Sequence, residues 1–229
     1  MNNSGLIFTL KIGWNKMKNK YPSLSDKITE KLREQIIYGS WEPGKIITVR
    51  EIAQKYNVST TPVRDAVNRL VQSGLLNNIP YKGYIVSHIN IKELDDLFTI
   101  RILLEAAAIE MLINNITPEQ LKILEKLAPK KLTFSEDDKI SFMKTNHKFH
   151  VELAKSTGNK YLEQIINDIL EKMQRILYID LKHIDLTSMQ MEHLQLINFI
   201  KEGDAEKAKK LIIFHIEESR NRVFGRGRN

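Results

Sequence analysis

Cysteine is absent from this chain of 229 residues, which removes a disulfide framework and every thiolate metal ligand. Histidine is scarce, with six in all. No apolar run of about 18 residues or more is present and 28% of residues are charged, so nothing reads as a transmembrane span. The N-terminus assembles no basic n-region, apolar h-region and small-residue cleavage site. The expectation is a cytoplasmic protein without membrane segments. A hydrophobic content of 42%, with 7% aromatic, suffices for a sizeable core in one large domain or two modest ones.

The positive charge is unevenly placed. Residues 1–20 carry four lysines and no acid, residues 21–87 carry nine basic and six acidic residues, and residues 88–229 carry 22 of each. The whole net charge of +7 therefore lies in the first 87 residues, as expected if only that part meets a polyanion.

Between residues 21 and 87 the pattern predicts three short helices and a hairpin. Ile28, Leu32 and Ile36 recur at helical spacing after Ser25, a candidate N-cap, with Gly39 and Pro43-Gly44 as the stop. Thr48 and Glu51 suit a capping box for a second helix ending near Asn57. Thr61 can cap a third, with Pro62 at its first position, an apolar stripe of Val63, Val67, Leu70 and Val71, and Gly74 at its end. LLNNI and GYIVS then flank Pro80, Tyr81 and Lys82 as two strands of a hairpin. This order is that of a winged helix-turn-helix. Its recognition helix would carry Ser59, Thr60, Thr61 and Arg64 toward the major groove, with Arg50 near a flanking phosphate and Lys82-Gly83 at the wing tip. The plainer alternative leaves Ser59 and Thr61 as caps and Arg64 as a solvated charge.

From residue 88 to 229 the texture is helical throughout, with six helices expected in an antiparallel bundle. They open at Asn90, Thr117-Pro118, Ser135, about Lys160, Ser188 and Ala205, and Gly203-Asp204 serves as a stop and a new cap. The fold class is thus mainly α, a winged helix-turn-helix followed by an all-helical bundle. Residues 1–20 form an N-terminal extension in which Leu6, Phe8, Leu10, Ile12 and Trp14 alternate. It reads as a disordered segment, as a start placed ahead of Met17, or as an arm.

PG-K-x-x-T-V-R-E-I-A-x-x-x-x-V-S-x-T-P-V-R-D-A-V-x-R-L-x-x-x-G-L, from Pro43 to Leu75 and closed by Lys82-Gly83-Tyr84, resembles the DNA-binding domain of the GntR family of bacterial transcription regulators. That resemblance implies DNA contacts at Arg50, Ser59, Thr60, Thr61, Arg64, Lys82 and Gly83. The family usually has arginine where Thr60 stands here, so a bidentate guanine reader is missing.

Asn146 and His150 lie at i and i+4 in NHKFH and share a helix face, with His147 toward its edge. His193 and His215 fall within apolar stripes of the last two helices. Each can be a separate core histidine, or all can share a metal. The series Asn146, Phe149-His150, Glu192-His193 and His215 is similar to the helical FCD effector domain of the FadR-like branch of that family. The resemblance implies Asn146, His150, His193 and His215 as ligands of a divalent transition metal, and such a donor set suits Zn, Ni or Mn.

Arg101 and Arg175 occupy core-facing steps, where each can pair with an acid such as Glu105 or hold a bound carboxylate. The functional expectation is a homodimeric DNA-binding transcription regulator that recognises an inverted repeat in duplex DNA and responds to a small carboxylate effector. Two alternatives stand beside it: a regulator for which the metal itself is the signal, and a metal-dependent hydrolase with Glu192 as base.

Overall fold

The computed structural model describes residues 22–39, 41–128, 136–181 and 186–225. The extension at 1–20 and the helix start expected at Ser135 lie outside them. The first helix, α1 (Leu24–Ile37), is capped by Ser23 rather than Ser25: the Ser23 hydroxyl accepts from the Asp26 backbone N–H and the Asp26 carboxylate accepts from that of Ser23. Ser25 is instead buried, and its hydroxyl donates to Asp65. The capping box wins because Ser23 has an acid three residues on, whereas Ser25 does not.

A two-residue strand, β1 (Ile46–Ile47), precedes α2 (Val49–Tyr56), whose Thr48–Glu51 capping box and left-handed Asn57 C-cap match the expectation. The third helix, α3 (Thr60–Gln72), starts earlier than Thr61 allows, with Ser59 at its N-cap and Pro62 inside the first turn. Strands β2 (Leu76–Ile79) and β3 (Gly83–Val86) form the hairpin, and β1 adds to β3 for a sheet ordered β1-β3-β2. β1 is too short to leave a periodic signature. Ile28, Leu32, Ile36, Val63, Val67, Leu70 and Leu76 close the core of this unit, while Arg69 ties Asp26 of α1 to Asp65 of α3 across its surface.

Six helices follow: α4 (Ile91–Leu112), α5 (Pro118–Leu127), α6 (Glu136–Ser156), α7 (Lys160–Leu181), α8 (Leu186–Glu202) and α9 (Ala205–Gly225). Asn90 caps α4, Thr117 forms a capping box with Gln120, and left-handed Gly203 followed by the Asp204 cap separates α8 from α9. α8 begins at Leu186, two residues ahead of the expected Ser188. α4 packs along α9 and α6 along α7 around Phe98, Leu112, Leu124, Phe149, Met173 and Ile212. No described helix is long and apolar enough to cross a membrane.

The two units touch through α1 and α7. Ile37 and Tyr38 enter a cluster with Phe142, Met143, Tyr178, Leu181, Leu186 and Met189, and the Tyr38 and Tyr178 rings meet edge to face at 4.9 Å. Arg33 pairs with Glu171 at 3.5 Å, and Lys144 donates to Glu34 at 2.9 Å.

At the wing, a Cβ built on Gly83 would lie 2.5 Å from the Ile47 carbonyl oxygen, and its φ of +114° lies where side chains are strained. Gly83→Ala is therefore expected to push β1 off β3, destabilising the N-terminal unit by about 1–3 kcal/mol. Scanning calorimetry of the full chain reads this as an earlier transition for that unit, and an unchanged thermogram would contradict the tight packing.

Candidate nucleic-acid interface and metal centre

The residues expected at DNA lie on one continuous structural logic. α3 begins at an N-cap whose side chain makes no capping bond, so the Ser59 hydroxyl is not spent on its own helix. Ser59, Thr60, Thr61 and Arg64 are exposed along the first turns of α3, and Arg50 is exposed in the first turn of α2. Lys82 is exposed beside half-buried Gly83 where the hairpin turns. Arg50, Arg64 and Lys82 have no carboxylate partner among the described residues, whereas Arg69, farther along α3, is committed to Asp26 and Asp65. Cations left unpaired at a helix start and a hairpin tip are available to phosphates and base edges. One residue escaped the sequence reading. Tyr81 is fully exposed at the wing tip with φ of +63°, uncommon for a bulky side chain. Its position between Pro80 and Lys82 was the only signal.

In the bundle, α6, α8 and α9 bring His150, His193 and His215 together. One ring nitrogen from each lies within 4.8 Å of the others, and all three side chains are buried. Helical spacing on α6 places buried Asn146 one turn before His150. His147 leaves the cluster and meets Asn167 at 3.0 Å.

Two carboxylates set the rings. Glu105 Oε2 lies 2.6 Å from His150 Nδ1, and Glu192 Oε2 lies 2.6 Å from His215 Nδ1. A carboxylate only accepts, so each Nδ1 donates and each Nε2 is turned toward the other histidines as an acceptor. Glu192 thus orients His215 on the next helix, which sequence adjacency to His193 did not suggest. Phe149 stacks on His193 at 4.2 Å, and Phe142 lies parallel to it at 6.5 Å.

Glu105 also accepts from Arg101 Nε at 2.6 Å, one turn away on α4. Burial pushes its carboxyl up, but Arg101 and His150 outweigh this and hold it below the ordinary carboxylate range. For His193 and His215 burial is the leading cause, reinforced by the neighbouring cations, and both imidazoles are held well below their usual value. They are neutral at pH 7, the form that binds metals.

Among the buried polar atoms of the described residues that find no hydrogen-bond partner are Asn146 Oδ1, His150 Nε2, His193 Nε2 and Arg101 Nη2. Asn146 Oδ1 accepts, His150 Nε2 accepts because its Nδ1 faces Glu105, His193 Nε2 accepts in one of its two tautomers, and Arg101 Nη2 donates. The site cavity beside them measures about 10 Å³ and is lined by Arg101, Asn146, Leu177, Asp180, Met189 and His215. That is room for about one ion or water. Arg175 is not part of this site. It lies at the junction of the two units, where Nη1 donates to the Ser87 carbonyl at 2.8 Å.

A winged helix with an unpaired Arg64 on its third helix, joined to a helical bundle with a buried polar centre, is the architecture of a DNA-binding regulator with a second, helical domain. The sequence matches the family models of the bacterial regulatory proteins, gntR family, over residues 24–86 and the FCD domain over residues 96–218. The chain belongs to the GntR family and carries an FCD domain. It is 29% identical over 189 residues to YdhC, an HTH-type transcriptional regulator of Bacillus subtilis, covering 80% of this chain and 84% of YdhC. It is 25% identical to the Nta operon transcriptional regulator of Aminobacter aminovorans, over 78% of this chain and 84% of that protein. The fold is that of Escherichia coli McbR/YncC, with a TM-score of 0.72 at 22% identity over 89% of this chain and 98% of that one. The chain is a transcription regulator, and the hydrolase alternative ends there.

The neutral histidines make stability depend on pH. The unfolded chain takes up protons near pH 6.5 while the folded chain resists them, so stability is full above that pH and is lost as pH falls below it. In metal-free protein, moving from pH 6.5 to 5.5 is expected to remove about 1 kcal/mol for each of His193 and His215. Urea unfolding in chelator at the two pH values measures it, and equal midpoints would mean the rings protonate freely in the folded state.

Proposed function

We propose that residues 21–87 of this regulator bind an inverted-repeat operator in duplex DNA through Arg50, Ser59, Thr60, Thr61, Arg64, Lys82 and Gly83. Residues 88–229 serve sensing and dimerisation, and the protein acts in the cytoplasm. A single small module buries too little surface on DNA for tight specific binding, so two copies are needed. The reading as a homodimer is supported by α4, where Ile100, Leu103, Ala107 and Met111 form an outward stripe at helical spacing and Leu103 is 66% exposed.

The sensing centre is a divalent transition metal, Zn, Ni or Mn, held by Asn146, His150, His193 and His215, with a small carboxylate effector completing its coordination against Arg101. The observation that carries this reading is the set of four partnerless atoms. Ring nitrogens of His150, His193 and His215 lie together, as a cation would require, and the Arg101 guanidinium, with Nη2 unpartnered, lines the same small cavity as Asn146 and His215, as an anion would require. Leaving each unsatisfied costs about 1–3 kcal/mol, so a metal carboxylate is complementary to the whole set. The metal's contribution would be Lewis acidity toward the carboxylate oxygens. The protein's contribution is to hold two rings through Glu105 and Glu192, to keep the imidazoles neutral by burial, and to offer Arg101 Nη2. Asn146 in place of an aspartate supplies one negative charge less.

The size of the cavity favours a second reading, in which the metal alone is the signal. About 10 Å³ beside Arg101 accepts an ion, whereas a carboxylate requires Met189 or Leu177 to move. Metal analysis of protein purified without chelator is expected to find one transition metal per chain, absent from His193→Ala. A thermal-shift screen of small carboxylates on the loaded protein then separates the readings: hits that lose their effect in Arg101→Ala support the effector, and no hits with metal-dependent operator binding supports the metal as signal. Absence of metal before and after reloading would return the histidines to a purely structural role.

For the DNA interface, Arg64→Ala is expected to weaken operator binding by about 1–3 kcal/mol if the guanidinium reads a base, and by less at a phosphate. Titration of the operator at physiological salt measures it, and equal affinities would remove α3 from the interface.

A further inference from the structure

Arg175 is nine-tenths buried at the junction of the two units. Its Nη1 donates to the Ser87 carbonyl oxygen, and no carboxylate of the described residues lies within ion-pair distance. Burial lowers its pKa from the ordinary guanidinium value. Buried guanidinium groups ordinarily have an acid beside them, because desolvation without one is costly. The bond to Ser87 also fixes the group's orientation and leaves the edge formed by Nε and Nη2 unclaimed, the edge that receives a carboxylate or phosphate through two parallel bonds.

Arg175 lines a cavity of about 220 Å³, far above the roughly 10–15 Å³ that one water requires. One wall comes from the end of α3 at Ser73 and Gly74, another from the connection at Ser87 and His88, and a third from α4 and α7. Lys172 lies three residues before Arg175 on α7 and reaches the same cavity. Glu93 is the acid in the lining, and it forms no ion pair with either cation. Leu94, Leu97 and Ile176 make part of the wall apolar, which strengthens a charge-assisted bond made there.

We infer that this junction cavity is a binding site for a small oxyanion, a carboxylate or a phosphate, held by the Arg175 fork with Lys172 as a second positive group. The site is separate from the histidine centre and does not rest on the metal reading. A bound oxyanion joins α7 to the segment linking the wing to α4, and so stiffens the path between sensing bundle and DNA-binding unit.

The test is a thermal-shift titration of the full chain with inorganic phosphate in one arm and acetate in another, against sodium chloride at matched ionic strength. Wild type is expected to show a saturable rise in midpoint of about 2 °C or more with at least one oxyanion. His215→Ala, which removes a residue of the histidine centre, should keep the rise. Lys172→Gln alters an exposed residue and should raise the half-saturating concentration about three- to tenfold, and Arg175→Gln should abolish the response. Should Arg175→Gln fail to fold, Lys172→Gln decides. A rise equal in chloride, or unchanged in Lys172→Gln and in a folded Arg175→Gln, overturns the proposal. Loss of the rise in His215→Ala alone overturns it too, by placing the anion in the bundle centre.

Discussion

The Glu105 carboxylate is shared between Arg101 and His150, 2.6 Å from each, in a part of the bundle closed to solvent. A buried charge survives only when opposed and hydrogen-bonded, and here both oxygens are used in different directions. Oε1 accepts from Arg101 Nε on its own helix, while Oε2 fixes a ring on α6. Removing the carboxylate would strand Arg101 and release His150 to its other tautomer, so the polarity of the whole centre follows from this group. Glu192 does the same for His215 from α8, though half-buried and therefore less constrained. Burial raises its carboxyl, with Arg222 opposing.

The bundle reaches the DNA-binding unit mainly through one helix. Glu171, Arg175 and Tyr178 follow one another at steps of four and three on α7, and they meet Arg33, the Ser87 carbonyl and Tyr38. One turn later Leu181 and the Asp180 carboxylate border the histidine centre. A second route is the apolar cluster that holds both Ile37 and Phe142, the latter lying parallel to His193. Packed interiors shift between discrete arrangements rather than deforming smoothly. Repositioning Leu181, Met189 or Phe142 therefore bears directly on the end of α1, with no long chain of intermediates.

Local signals in the sequence were legible where the chemistry is local. The Thr48–Glu51 capping box, the Thr117-Pro118 helix start, the hairpin and the six bundle helices follow from spacing and cap residues alone. Ser23 was missed in favour of Ser25 because the apolar stripe begins nearby and either serine can cap; only the acid at Asp26 distinguishes them. β1 has no period to detect in two residues. The convergence of Asn146, His150, His193 and His215 rested on a family pattern, since residues 69 positions apart carry no mark of proximity in periodicity. Arg101 and Arg175 looked equivalent as core-facing cations, yet one lies with Glu105 and the other at the junction. Periodicity gives the face a side chain occupies, and the neighbouring element decides what it meets.

The partnerless atoms of the histidine centre also bear on how much work a ligand can do. With about 1–3 kcal/mol for each unsatisfied group, the four together represent several kcal/mol of relief on binding. Coupling between a ligand site and DNA in such systems is typically about 1–3 kcal/mol. A ligand that satisfied these atoms would thus bring more free energy than the coupling needs, but only the part that differs between the two arrangements of the units can change operator affinity. The centre is rigid where Glu105 and Glu192 hold it and packed with flexible side chains at Met189 and Leu181. Differential free energy between arrangements must therefore arise at that packed side, where the histidine centre borders the helix that holds the DNA-binding unit.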